Sequence, residues 1–246
     1  MKIYVLGICG TFMGGLAQLA AEKGIRVSGC DENVYPPMDQ VLLSKGISID
    51  EGYNPKNLPK DIDLVVVGNV IARGNLMIEE ILNKDIDFIS GPEFLSKYLL
   101  AKRHVVAISG THGKTSVSSM VTKVLLDNGI DCGYLIAGRA KDLDATASLG
   151  THDFFVIEAD EYDTAFFDKR SKFIHYKPEM LIINNIEYDH ADIFSSLQDI
   201  VKQFHHLLRT MPKNATIITP EGDKTVSSLI DLGCWSTVKT LSLIHI

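Results

Sequence analysis

The chain has 246 residues, 46% of them hydrophobic and 22% charged, and a formal net charge of −7. A chain this long buries roughly 70–75% of its unfolded surface, so its core requires neither a disulfide nor a structural metal. The acidic balance and the lack of a dense basic run speak against nucleic acid or a membrane surface as partner, but not against an anionic nucleotide held by a few local donors.

Two series of strands and helices follow one another. In the first, residues 3–6, 26–30, 64–67 and 86–89 are short apolar or β-branched runs, with helical stretches near 13–23, 38–45 and 76–83. Alternating strands and helices predict a parallel sheet covered on both faces. A helix over 92–100 ends in Ala101-Lys102-Arg103, which places the boundary of a first domain at residue 102. The second domain is expected over 103–240. Residues 105–109, 154–158 and 180–184 are nearly continuous apolar runs, the pattern of strands buried on both faces. A long helix over 114–128 stops at Gly129, another over 196–211 stops at Pro212, and 215–219 reads as a further strand. The apolar stretch 241–246 has no following partner and reads as a tail foreign to the natural protein, on a chain that is itself a fragment. The fold class expected is α/β, with a Rossmann-like N-terminal domain and a P-loop-type domain after it.

Cys9, Cys30, Cys132 and Cys234 form no Cys-x-x-Cys pair, so neither a zinc site nor a redox motif is visible, and scattered thiols fit a reducing cytosol. The apolar run at 3–6 is too short for a signal peptide, and no stretch approaches the length of a membrane span.

The strand 3–6 runs into Gly7-Ile8-Cys9-Gly10-Thr11-Phe12-Met13-Gly14-Gly15 and a helix. Cys9 and Phe12 stand where a dinucleotide fingerprint has glycines, which argues against an NAD-dependent oxidoreductase. Backbone N–H groups at the helix start can still hold a diphosphate, and Asp31 after the second strand is placed to reach a ribose or base.

The strand 105–109 runs into Gly110-Thr111-His112-Gly113-Lys114-Thr115-Ser116 and a second helix. Glycines let backbone N–H groups close on phosphate oxygens, and the helix start adds partial positive charge. Lys114 is expected to reach the β- and γ-phosphates of ATP, and the Thr115 hydroxyl to bind Mg²⁺. The common P-loop has four residues between its first glycine and Gly-Lys; this loop has two.

Ligands of open α/β sheets sit at the carboxyl ends of strands. There the chain carries Glu158-Ala159-Asp160-Glu161-Tyr162-Asp163 after one strand and Asn185-Ile186-Glu187-Tyr188-Asp189-His190 after another. Mg²⁺ needs one or two carboxylates besides phosphates and water. Of Glu158 and Asp160, two residues apart, Glu158 is favoured as the ligand.

The loop 110–116 together with the runs 158–163 and 185–190 resembles the Mur ligases. The stretches 7–15, 33–38, 165–173 and 233–236 are most similar to the branch of that family that acts on murein peptides. The resemblance implies a three-domain bacterial cytoplasmic enzyme of peptidoglycan recycling: a UDP-sugar domain at 1–102, an ATP-binding central domain at 103–240 that is incomplete here, and a C-terminal peptide domain that is absent. It implies an ATP- and Mg²⁺-dependent ligase joining UDP-N-acetylmuramate to L-alanyl-γ-D-glutamyl-meso-diaminopimelate through an acyl phosphate. L-alanine as acceptor, or a non-catalytic nucleotide-binding fragment, are the alternatives.

Carried over by motif, Lys114, Glu158 and His190 are catalytic, with Thr115, Glu158 and His190 on Mg²⁺ and residues Gly110, Thr111, His112, Gly113, Lys114, Thr115 and Ser116 on ATP. Gly7, Gly10, Thr11, Phe12, Met13, Gly14, Asp31, Asn69, Arg73 and Asn75 are the UDP-sugar candidates. Lys169 and Arg170 have no motif-level role.

Overall fold

A computed structural model describes residues 1–138, 142–189 and 193–242. The first series forms β1 (Lys2–Leu6), α1 (Thr11–Glu22), β2 (Arg26–Asp31), α2 (Met38–Ser44), β3 (Ser48–Glu51), β4 (Leu64–Val67), α3 (Leu76–Asn83) and β5 (Phe88–Ser90). These strands lie in the order β3-β2-β1-β4-β5 with every neighbour parallel. The chain moves outward in one direction from β1 to β3 and then returns to the other side of β1 for β4. The crevice between the carboxyl ends of β1 and β4 is therefore the switch point where such sheets take ligands. β3 escaped the sequence reading, since Ser48-Ile49-Asp50-Glu51 has one apolar residue and lies at the sheet edge.

The helix expected over 92–100 is broken in character. It begins as α4 (Gly91–Phe94), capped by Ser90 Oγ accepting from Glu93 N at 3.2 Å, and widens into a π-helical turn over Leu95–Leu99. Phe94, Leu95, Leu99 and Leu100 are all buried there.

The second series forms β6 (His104–Ser109), α5 (Lys114–Asp127), β7 (Gly133–Leu135), β8 (Ala147–Ser148), β9 (Phe154–Glu158), β10 (Asp163–Ala165), β11 (Asp168–Ser171), β12 (Met180–Ile183), α6 (Leu197–Thr210), β13 (Thr216–Pro220), α7 (Lys224–Asp231) and β14 (Thr237–Leu241). The order is β14-β13-β12-β6-β9-β7-β8, parallel except for β8, which runs against β7. The hairpin β10–β11 stands apart from this sheet and leads into a 3-10 turn at Lys172–His175. Leu241 pairs with Pro220 in the edge strand, so the expected tail begins with a residue that has a partner; 243–246 lie outside the described residues.

Helix α6 starts where Ser196 Oγ accepts from Asp199 N, and it buries Ile200, Phe204, Leu207 and Leu208 on one face. Each such side chain contributes about 1.5–3 kcal/mol on leaving water. The two sheets share one apolar cluster, in which α1 packs on the β7–β8 edge. The contact is tight at two adjacent glycines. A Cβ on Gly15 would come 2.3 Å from Leu135 Cδ1, and one on Gly14 would come 2.4 Å from Met38 Sδ. Glu22 joins the same interface, its carboxylate accepting from Lys45 Nζ and from Leu149 N, each at 2.7 Å.

Candidate functional site

The turn after β1 is shaped by its backbone. Gly7 has φ +76°, a left-handed conformation, and its N–H donates to Cys30 O at 2.9 Å. Asp31 is buried, and its two carboxylate oxygens accept from Cys9 N at 2.9 Å and Asn33 N at 3.1 Å. The expected ribose contact therefore falls on a side chain that already fastens the turn to the end of β2. Burial pushes the Cys9 thiol up to about 11 and the Cys30 thiol up to about 12, so both are protonated at neutral pH. Helix α1 starts at Thr11 without a side-chain cap.

The turn after β6 is held by its neighbour. Gly110 has φ +136°, and a Cβ there would lie 2.9 Å from Asn185 O. Thr111 N donates to Asn185 O at 3.1 Å, His112 N donates to Asn185 Oδ1 at 2.8 Å, and Asn184 Nδ2 donates to His112 O at 3.3 Å. The residues after β12 thus fix the loop. Gly113 is left-handed and starts α5. Lys114 Nζ turns back to donate to Gly110 O at 2.7 Å and lies 3.3 Å from Glu161 Oε2, a carboxylate with no exposed side-chain surface. Ser116 lies in the first turn of α5.

Thr115 and Glu158 meet. The Thr115 hydroxyl donates to Glu158 Oε1 at 2.9 Å, while Glu158 Oε2 accepts from Ala137 N at 3.0 Å. Cis oxygens of an octahedron with bonds of about 2.1 Å lie about 3 Å apart, so this hydroxyl–carboxylate pair fits two hard oxygen ligands of one Mg²⁺. Among the described residues no cluster of three His, Cys, Asp or Glu stands ready for a metal. His190, expected as the further ligand, lies outside the described residues.

The β1–α1 turn and the end of β9 face one cavity of about 230 Å³, lined by Gly7, Gly10, Thr11, Phe12, Met13, Gly68, Asn69, Val70, Leu135, Ala137, Glu158, Asp160 and Lys172; none of residues 110–116 lines it. Six predicted UDP-sugar residues and Glu158 are thereby brought together. Asp31, Arg73 and Asn75 instead line a second hollow of about 440 Å³ with Glu32, Asn33, Tyr53, Val70, Ile71 and Ala72. Val70 borders both and is 76% exposed. Arg73 makes a two-pronged pair with Glu79 at 3.0 and 3.1 Å, and Asn75 Oδ1 caps α3 by accepting from Met77 N and Ile78 N. Gly14 is buried against Met38 rather than lining either hollow.

Asp160, two residues beyond Glu158 and past the end of β9, lines the same cavity. Asp160 Oδ2 accepts from Lys172 Nζ at 3.2 Å. Ala137, Glu161, Lys172, Asn184 and Asn185 escaped the sequence reading as site residues. Glu161 lay in the acidic run already singled out, whereas no local spacing marks Lys172. Lys169 pairs with Asp163 at 2.9 Å, and Arg170 pairs with Asp168 at 2.6 Å, holding that carboxyl below the usual carboxylate range. Neither lines the cavity.

A family model described as the Mur ligase family catalytic domain matches residues 2–103, and one described as the Mur ligase middle domain matches residues 108–242. The chain is 51% identical over 236 residues to the UDP-N-acetylmuramate–L-alanyl-γ-D-glutamyl-meso-2,6-diaminoheptandioate ligase of Escherichia coli K12, covering 96% of this chain and 52% of that one. It is 33% identical over 228 residues to a UDP-N-acetylmuramate–L-alanine ligase of Clostridium botulinum strain Langeland, covering 93% and 48%. A crystal structure of the UDP-N-acetylmuramate:L-alanyl-γ-D-glutamyl-meso-diaminopimelate ligase of Neisseria meningitidis superposes with a TM-score of 0.93 at 45% identity, over 97% of this chain and 77% of that one. The chain spans about half the length of the curated relatives it matches.

Proposed function

The chain belongs to the Mur ligase family, and from that premise we propose that it is the sugar- and nucleotide-holding part of an ATP-dependent ligase joining UDP-N-acetylmuramate to the tripeptide L-alanyl-γ-D-glutamyl-meso-diaminopimelate. The tripeptide is favoured over alanine because identity is 51% to the tripeptide ligase and 33% to the alanine ligase. Residues 1–102 form the UDP-sugar domain of this reading and 103–240 the ATP domain. The setting is the cytoplasm. Among the described residues no helix is long and apolar enough to cross a membrane.

A carboxylate does not react with an amine in water. Transfer of the ATP γ-phosphoryl group to the lactyl carboxylate makes an acyl phosphate, from which the peptide amine displaces phosphate. Phosphoryl transfer asks a protein for positioning and charge neutralisation more than for a nucleophile. With the N–H groups of Thr111 and His112 held by Asn185, the backbone N–H groups at the start of α5 cradle the phosphates, and Lys114 exchanges Gly110 O and Glu161 for phosphate oxygens. Thr115 and Glu158 hold Mg²⁺, with His190 as the further ligand. Magnesium, when bound, offsets the phosphate charge. Residues Gly7, Gly10, Thr11, Phe12, Met13 and Asn69 take the diphosphate and sugar end, with Asp31, Arg73 and Asn75 along the adjoining hollow.

The observation that carries this reading is the shared cavity, with the glycine turn of one sheet on one wall and Glu158 of the other sheet opposite. In the complete enzyme, ADP release is expected only when UDP-N-acetylmuramate, tripeptide and MgATP are all present, with a product mass equal to the sugar nucleotide plus tripeptide less water. Release with alanine but not tripeptide would move the assignment to the alanine ligases. Release with neither would remove the ligase reading.

A further inference from the structure

The cavity poses an electrostatic difficulty for the proposed substrate. Its lining contains two carboxylates, Glu158 and Asp160, and a single basic side chain among the described residues, Lys172. UDP-N-acetylmuramate brings a diphosphate and a lactyl carboxylate. The N–H groups that open α1 serve the diphosphate without any side-chain charge. The lactyl carboxylate has to come up to Glu158, where the phosphoryl group is delivered; Mg²⁺ would offset Glu158 in this reading, which leaves Asp160 as the group of its own sign that a protein cation has to offset.

Lys172 is built into that side of the cavity. It opens the 3-10 turn after β11 and is 6% exposed. Its ammonium is 3.2 Å from Asp160 Oδ2, 5.5 Å from the centroid of the Phe12 ring and 5.6 Å from that of Tyr162. Phe12 itself lies in the first turn of α1 and lines the cavity. Two aromatic faces and a carboxylate hold a normally flexible side chain in one place, and cation–π attraction lessens the cost of removing its charge from water. An ammonium has three donors, and Asp160 engages one of them.

We propose that Lys172 binds the carboxylate of the sugar substrate, sharing its ammonium between that group and Asp160 and setting the carboxylate beside Glu158. This rests on the ligase reading of the cavity. It makes Lys172 a specificity residue for sugar nucleotides that carry an acid, a role that a lysine serving only the fold or the diphosphate would not have.

The test is calorimetry on the 246-residue chain with two probes, UDP-N-acetylmuramate and UDP-N-acetylglucosamine, which lacks the lactyl acid. Lys172→Gln is expected to weaken the first by about 10–100-fold, the scale of one charge-assisted contact, and the second by less than about threefold. Asp160→Asn leaves the ammonium in place and removes a competing negative charge, so it is expected to bind UDP-N-acetylmuramate as well or better. Equal losses for both probes, or no loss for either, would overturn the assignment. If Lys172→Gln does not give folded protein, the Asp160→Asn arm decides, since weaker binding there is the structural outcome and overturns the proposal. A wild-type chain that binds neither probe sinks the ligase reading together with this one. A wild-type chain that binds both, with Lys172→Gln indifferent to the acid, leaves the ligase reading standing and removes only Lys172.

Discussion

The molecule contains the same device twice, a buried strand that turns on glycines into a helix, and the two copies differ in where their positive charge comes from. The β6–α5 turn carries its own cation, Lys114, and a hydroxyl, Thr115, already touching the Glu158 carboxylate. The β1–α1 turn carries no basic side chain, and Asp31 fastens it from beneath. A cation beside its helix start is Lys172, which arrives on the 3-10 turn that follows a separate hairpin. A self-contained turn works as a local unit. A turn whose charge is borrowed depends on how the halves are packed, and its affinity becomes a property of tertiary structure.

The sharpest break of this comparison is Lys114→Ala. In the complete enzyme it is expected to lower turnover by about 10²–10³, as loss of one transition-state electrostatic contact commonly does, while calorimetry of UDP-sugar binding stays at wild-type affinity. Loss of both would show that the turns are not separable.

Next in size is the packing that brings the borrowed charge into place. Gly15→Ala sets a methyl against Leu135, which is 3% exposed, so destabilisation of about 1–3 kcal/mol and a melting point lower by several degrees are expected. Gly14→Ala meets Met38, a half-buried and flexible side chain, and is expected to cost less than about 1 kcal/mol in the same melting experiment.

Asp31→Ala frees the N–H groups of Cys9 and Asn33, which solvent partly compensates, for a loss of about 1 kcal/mol. UDP-sugar affinity should drop in that variant, with MgATP binding unchanged by calorimetry.

The smallest effect concerns pH. Burial holds the His175 imidazole below its ordinary value of 6.5, so between that lowered value and 6.5 the unfolded chain binds more protons than the folded one. Stability from this group is full above about pH 6.5 and falls as pH drops, and His175→Gln should flatten the melting curve against pH over that window. Since His175 closes the turn that Lys172 opens, wild-type affinity for the acidic sugar is expected to fall alongside.

Much of this architecture was legible along the chain because its strands are buried on both faces. Apolar runs at 64–67 and 154–158 coincide with β4 and β9. What escaped was mostly at the edges, together with β7, a buried strand of only three residues, and the helix α7. β3, β8 and β14 are short or exposed, and β10–β11 is rich in charge, so none shows the apolar continuity that marks a central strand. Within the candidate site, the glycine loop 110–116 and Glu158 stand out from local spacing. Lys172 is 160 residues from Phe12 in sequence, and the two are brought together by tertiary packing, in which α4 also meets the turn that carries Lys172. Asp31 shows the opposite limit: its residue type suggested a ligand, and its hydrogen bonds show it securing the backbone.

Val70 stands three-quarters bare between the two hollows and belongs to both rims. An occupant reaching from Glu158 to Arg73 has to cross that isopropyl group and cover it. The valine thus works as a saddle that measures length: short molecules settle on one flank, and only those long enough to drape over it gain the extra dehydration.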